Sequence, residues 1–245
     1  MTRNTTLDVF ASMSRDAARN RIDFSRDGDD YSLSNGALAL RGTMCEAKLV
    51  RSIVLNGHDC GSLDICLNVK ANDGKWIWPG VSALCKIDFR SAGGAGALEL
   101  IGEWWQVVGR WTIPGYAFRV HARLTTHPGE KVFLVEVAEI ENSGTLDLHI
   151  GRVFISVMPP EGIKPVCIRE PTPYENSAAW EAGLGHEIGI RSEDKDVQRI
   201  SFWVDKETNC PHADCGFSLP GGGVLLSPGQ KFTPSRPISA IVMCK

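Results

Sequence analysis

Long apolar runs are missing from this 245-residue chain, and none reaches the roughly 18 residues that a bilayer-spanning segment needs. A membrane-spanning helix is therefore not expected. Positive charge is not in excess either: 26 Lys+Arg stand against 29 Asp+Glu, a formal net charge of −3, with no dense basic run. Nucleic-acid affinity rests on a basic footprint, so a nucleic-acid partner is not expected. MTRNTTLDVF at the start lacks an apolar core followed by a small-residue cleavage site, and Asp8, Asp16 and Asp23 argue against a transit peptide. The eight cysteines are scattered, mostly inside apolar stretches, and no C-x-x-C pairs occur. With no secretory signal they read as reduced core thiols of a cytoplasmic protein. G-x-S-x-G and H-E-x-x-H are absent, and the glycine runs at 93–96 and 221–223 lack the setting of a phosphate loop, so they read as turns.

Abundant short strands take the place of these motifs. From Ala117 to Thr125 the order A-F-R-V-H-A-R-L-T puts Phe118, Val120, Ala122 and Leu124 on one side and Arg119, His121 and Arg123 on the other. That period of two marks a half-buried strand. A Pro128-Gly129 turn, the run 131–141, an ENSG turn and the run 146–158 extend it to a predicted three-stranded meander. Further strands are expected at 37–41, 47–55, 62–69, 83–89, 97–105, 186–191, 198–205, 223–227 and 237–243, with the 25 Gly and 13 Pro mainly between them. The reading is an all-β protein, a large antiparallel β-sandwich with a short N-terminal helix that Thr5 and Asp8 would cap. Residues 1–30 are expected to form a helical or extended lead-in and residues 31–245 one sandwich domain. Pro159–Gly185 is the least strand-like stretch and reads as a lid, a cleft rim or an ordered crossover.

Several residues carry candidate chemistry. Trp76, Trp78 and Trp104 (or Trp105) offer either core bulk or flat platforms for a sugar ring. Arg119 and Arg123 flank His121 on one strand face, an arrangement able to grip a carboxylate and to lower the proton affinity of the imidazole between them, with Tyr116 just before it. A solvated outer face would show the same pattern. Glu136 and Glu139 interrupt an apolar strand and are expected to pair with neighbouring arginines or to hold a proton. His149, in LDLHIGR, is a weaker candidate. Cys210, His212, Asp214 and Cys215 form CPHADC, which is not a standard zinc spacing and reads as a turn holding two thiols. No metal or cofactor is expected.

YSLSNGALAL, TTHPGEKVFLVEVAEIENSGTLDLHI and DKETNCPHADCGFSLPGGGVLLSPGQKF together resemble the galactose-mutarotase-like supersandwich, with the last segment similar to the ending of aldose 1-epimerases. The family's Asn-His-x-Tyr-Phe-Asn stretch has no counterpart here. The resemblance implies an aldose-epimerase-like enzyme acting at the anomeric centre of a sugar, with Glu207 as catalytic glutamate and His121 or His149 as the imidazole. A uronate-directed polysaccharide lyase and a non-catalytic carbohydrate-binding module are the alternatives. The expected partner is a small-molecule sugar or an oligosaccharide, and a homodimer or a place as subunit of a larger enzyme stays open.

Overall fold

The structure, a computed structural model, describes residues 21–44, 46–70, 74–104, 115–160, 166–169, 177–181, 185–192, 197–204, 211–236 and 238–245. The N-terminal helix expected around Phe10, Met13 and Ala17 falls outside them. In chain order the strands are β1 (Asp23–Asp27), β2 (Asp30–Ser34), β3 (Leu38–Thr43), β4 (Ser52–Leu55), β5 (His58–Asp59), β6 (Ser62–Lys70), β7 (Trp76–Ile77), β8 (Ala83–Ala92), β9 (Ala95–Trp104) and β10 (Phe118–Thr126). They continue with β11 (Val132–Asn142), β12 (Leu148–Met158), β13 (Val166–Arg169), β14 (Ser177–Glu181), β15 (Glu187–Arg191), β16 (Val197–Val204), β17 (Pro211–Ser218), β18 (Val224–Leu226), β19 (Lys231–Phe232) and β20 (Ile238–Cys244). A 3-10 turn at Pro220–Gly222 is the one helical element among the described residues, so none of their helices is long and apolar enough to cross a membrane.

Three antiparallel sheets share one apolar core. The first is a meander of β1 to β5; the second has nine strands, ordered β13-β14-β15-β20-β11-β10-β9-β8 with β19 beside β11; the third has six, ordered β16-β17-β12-β6-β7 with β18 beside β12. Phe118, Val120 and Leu124 of the nine-stranded sheet and Leu63, Ile65, Leu67, Val153 and Ile155 of the six-stranded one are buried in the same cluster, which Leu33, Leu40 and Ile53 of the first sheet join. The all-β sandwich expected from the alternation is thus what the chain builds.

The expected three-stranded meander is corrected. β10 and β11 do pair, but β12 leaves for the other sheet and pairs with β6 and β17, while β11 takes β20 and β19 on its free side. The turn between them makes the crossing. Asn142 is fully buried, its amide donates to the carbonyls of Leu146 (2.9 Å) and Leu226 (2.7 Å), and its Oδ1 accepts from Gly144 N. These bonds hold a bend that sends the chain from one layer to the next instead of folding it back as a hairpin. The proline-rich stretch carries the chain from β12 of the six-stranded sheet to the nine-stranded one, in keeping with a crossover. β13 and β14 lie within Pro159–Gly185 and extend the nine-stranded sheet beyond β15. CPHADC is no turn, because Pro211 onward is strand β17, tied to both β12 and β16.

Candidate functional site

Two polar faces emerge, one on the outside of each large sheet. On the nine-stranded sheet, the outward side of β10 carries Arg119, His121 and Arg123, as the alternation requires. β9 sets Glu103 and Glu99 opposite the two arginines, at 3.0 Å and 2.7 Å. On the other side β11 brings Glu141 to 3.9 Å from Arg119, Glu139 to 3.6 Å from His121 Nε2 and Glu136 to 3.9 Å from Arg123. Glu136 and Glu139 are an odd number of residues apart, which in a regular strand would put them on opposite faces. A bulge between the His121–Glu139 and Ala122–Val137 pairs absorbs Ala138 and returns both carboxylates to the outside.

His121, Glu139 and Glu141 place their ligand atoms within 4.8 Å of one another, a spacing open to a cation. Lys231 Nζ already sits 2.7 Å from Glu139 and 3.8 Å from Glu141, so these carboxylates are neutralised from within the chain. The neighbours nearest the imidazole are therefore carboxylates, with each guanidinium turned to a glutamate of its own. An incoming carboxylate would have to displace one of those glutamates. The pairs are partly solvent-exposed and screened, so Glu99→Gln is expected to cost less than about 1 kcal/mol, and the cost should shrink further in high salt. Thermal denaturation of variant and wild type at two ionic strengths measures this.

The six-stranded sheet differs, because its outward face is polar yet largely buried. Alternate residues of β6, Leu63, Ile65, Leu67 and Val69, point to the core, which turns Ser62, Asp64, Cys66 and Asn68 outward. In register, Asp64 lies opposite Ser156 of β12, Ser156 opposite Asp214 of β17, and Asp214 opposite Ser201 of β16. Asp64, Ser156 and Asp214 are 8%, 1% and 4% exposed. Buried carboxylates are costly, so their presence needs a reason.

Asp64 accepts the amide of Ile65 at 2.8 Å and also those of Leu49 and Val81, so it ties the neighbouring segments to the sheet. Its burial outweighs these bonds and the nearby Lys48 charge, and pushes the carboxyl up to about 7. The Cys66 thiol is pushed up by burial and by the charges of Asp64 and Asp214, against a hydrogen bond from Ser156. At this end of the sheet a cleft of about 420 Å³ opens, lined by Glu46, Lys48, Arg51, Asp59, Ser62 and Pro159–Pro160. The Ser62 hydroxyl, on the same face as Asp64, is buried with no hydrogen-bond partner among the described residues.

The residues named from the sequence scatter across these faces. His149 is on the outward side of β12 but opposite Lys70, seven residues and roughly 20 Å along the strand from Ser156. Its ring lies 5.4 Å from Trp76, which packs over Gly151. Trp78 does not continue that strand; β7 ends at Ile77, and Trp78 is 60% exposed. Trp104 stacks on Phe118 at 5.5 Å, and Tyr116 is buried in the core cluster, its phenol pushed up by burial. His121 and His149 lie on opposite outer faces with the core between them. Within CPHADC, His212 and Asp214 face outward while Cys215 faces the core, so these three do not converge on one ion. Glu207, Cys210 and Trp105 lie outside the described residues.

Asp64 and Ser156 escaped the sequence reading, and Asp214 entered it only as part of CPHADC. A signal was present: S-L-D-I-C-L-N-V alternates polar and apolar residues, and H-A-D repeats the pattern at 212–214. A strand polar on alternate residues ordinarily faces water, and only the assembled sheet shows that this face is covered.

No family model matches the chain, and no curated protein does. Solved structures do. A galactose mutarotase-like protein of Clostridium acetobutylicum superposes with a TM-score of 0.51 at 7% identity, over 92% of this chain and 98% of that one. The fold is that of the galactose mutarotase-like proteins. A Klebsiella pneumoniae protein whose name provisionally assigns it aldose 1-epimerase activity also superposes at 0.51, with 7% identity over 94% of this chain and 85% of its own. At such identities the likeness concerns the mutarotase-like fold, and the residues that act have to be argued from this chain.

Proposed function

We propose that the chain is an epimerase-like enzyme acting at the anomeric centre of an aldose, bound in the cleft at the Ser62–Met158 end of the six-stranded sheet. The observation that carries this reading is the buried polar row Asp64–Ser156–Asp214 beside that cleft, on a mutarotase-like fold. The strands flanking Glu207 end at Val204 and Pro211, at this same end of the sheet. In the reaction a carboxylate, Glu207 on the resemblance, takes the proton of the anomeric hydroxyl. A proton is delivered to the ring oxygen, the bond from that oxygen to the anomeric carbon breaks, and an open-chain aldehyde forms. Rotation and reclosure with the protons returned give the other anomer. Asp64, with its carboxyl near 7, and His212, next on the same face, are the proton donors in reach of the row.

Anomer exchange followed by NMR across neutral aldoses, sugar phosphates and uronic acids tests the proposal. Exchange faster than the uncatalysed rate is expected, lost by at least a hundredfold in Glu207→Gln with sugar binding retained. No acceleration for any sugar would overturn it. Sugar-dependent quenching of tryptophan fluorescence without turnover would instead mark a binding module, for which exposed Trp78 is the platform.

A further inference from the structure

Cys60 and Cys244 are far apart in sequence and meet in the core. Cys60 lies between β5 and β6 at 0% exposure, and Cys244 ends β20 at 2%. Each thiol perturbs the other's acidity, and Cys60 Sγ lies 3.6 Å from His58 O. The surrounding backbone fixes the encounter independently. Cys244 pairs with Ile188 across β20 and β15, and a Cβ built on Gly61 would stand 3.5 Å from the Ile188 side chain. Two residues before Cys60 and two before Ile188, the rings of His58 and His186 lie 4.9 Å apart. The segment 58–61 thus runs beside 186–188, with Cys244 on the far strand of that pair. Cys60 N donates to Ile53 O and Cys244 N to Lys131 O, so both backbones are held at the meeting point.

We infer that Cys60 and Cys244 are a thiol–disulfide site, a pair that a low-molecular-weight disulfide oxidises to a bond joining the start of the six-stranded sheet to the centre of the nine-stranded one. Cys60 is the attacking sulfur, since it directly follows the exposed His58–Asp59 pair and lies outside a strand, whereas Cys244 is held within β20. The thiolate attacks one sulfur of the small disulfide and expels the first small thiolate. Cys244, giving up its proton, then attacks the mixed disulfide at Cys60 and releases the second. Two protein thiols are oxidised, the small disulfide is reduced to two thiols, and the two protons go with them. Burial makes the reaction depend on local opening around Glu187, whose backbone pairs with that of Lys245 at 2.9 and 3.0 Å. The bond would close a loop on the order of 180 residues, which constrains the unfolded chain strongly.

The test uses the full chain carrying Cys85→Ser, which removes the exposed thiol among those described. The protein is incubated with glutathione disulfide, alkylated, digested without reductant and mapped by mass spectrometry. A peptide cross-linked through Cys60 and Cys244 is expected, with the melting temperature raised by roughly 5–10 °C and restored by reductant. Cys244→Ser should lose both effects. If that variant does not fold, the cross-linked peptide from the parent decides alone. Both cysteines recovered as alkylated thiols, or Cys60 stopping as a glutathione adduct, would overturn the inference.

Discussion

Asn35→Ala is expected to destabilise the fold by about 3 kcal/mol or more, and to lower the melting temperature by roughly 10 °C. Asn35 is fully buried at the turn between β2 and β3. Its amide donates to Thr126 Oγ1 (2.6 Å), His127 O (2.9 Å) and Glu130 O (2.8 Å), and its Oδ1 accepts from the amides of Ala37 (3.0 Å) and Leu38 (2.9 Å). Its backbone carbonyl also accepts from Gly129 N at 2.7 Å. One side chain thus fastens the turn of the first sheet to the β10–β11 turn of the nine-stranded sheet. Alanine would remove all five side-chain contacts and take that partner from Glu130 O and from the amides of Ala37 and Leu38, while Thr126 Oγ1 keeps Val132 O and His127 O keeps Glu130 N. Asn35→Asp should be no better, since a carboxylate keeps the two acceptor contacts but faces three oxygens with nothing to donate. Thermal unfolding of the two variants is the measurement, and a cost below about 1 kcal/mol for both would show that the clamp contributes little.

Asp64→Asn is expected to remove a pH dependence of stability. In the unfolded chain an aspartate titrates near 3.9, whereas here burial pushes it up to about 7. Between those values the folded protein holds a proton that the unfolded chain has released. The site's contribution is therefore fully present below about pH 4, falls as pH rises through 7, and levels off above it. Asparagine is neutral throughout. The stability of wild type minus that of the variant should thus decline from pH 4 to pH 8 by at most about 4 kcal/mol. Denaturant unfolding of both proteins across that range gives the difference directly, and parallel curves would mean that burial does not govern this carboxyl. The same titration bears on chemistry, because a carboxyl near 7 gives and takes protons at neutral pH.

Much of this architecture was legible along the chain. β3, β6, β8 to β12, β15, β16, β18 and β20 all lie where the alternation puts them, to within a few residues. β5, β7 and β19 are two residues long and carry no periodic signal; their pairing partners define them. β17 was hidden because Cys, Pro and His in CPHADC suggest a turn, yet the strand is held from both sides by β12 and β16. The outward side of Arg119, His121 and Arg123 was also legible, but not its chemistry. Sequence shows which side a residue takes; the glutamates that engage it come from β9 and from a bulged β11.

Local alternation thus determined the fold class, most of the longer strands and the inward residues of those, because period-two burial is a property of neighbours in the chain. The tertiary structure alone decided that β12 leaves its hairpin partner, that Asn35 and Asn142 fasten turns between layers, and that Cys60 meets Cys244. It also decided that Asp64, Ser156 and Asp214 form one buried row instead of three wet surface positions. Each of these depends on groups far apart in sequence, and the cost of burying a polar group is set by what covers it and what it bonds to.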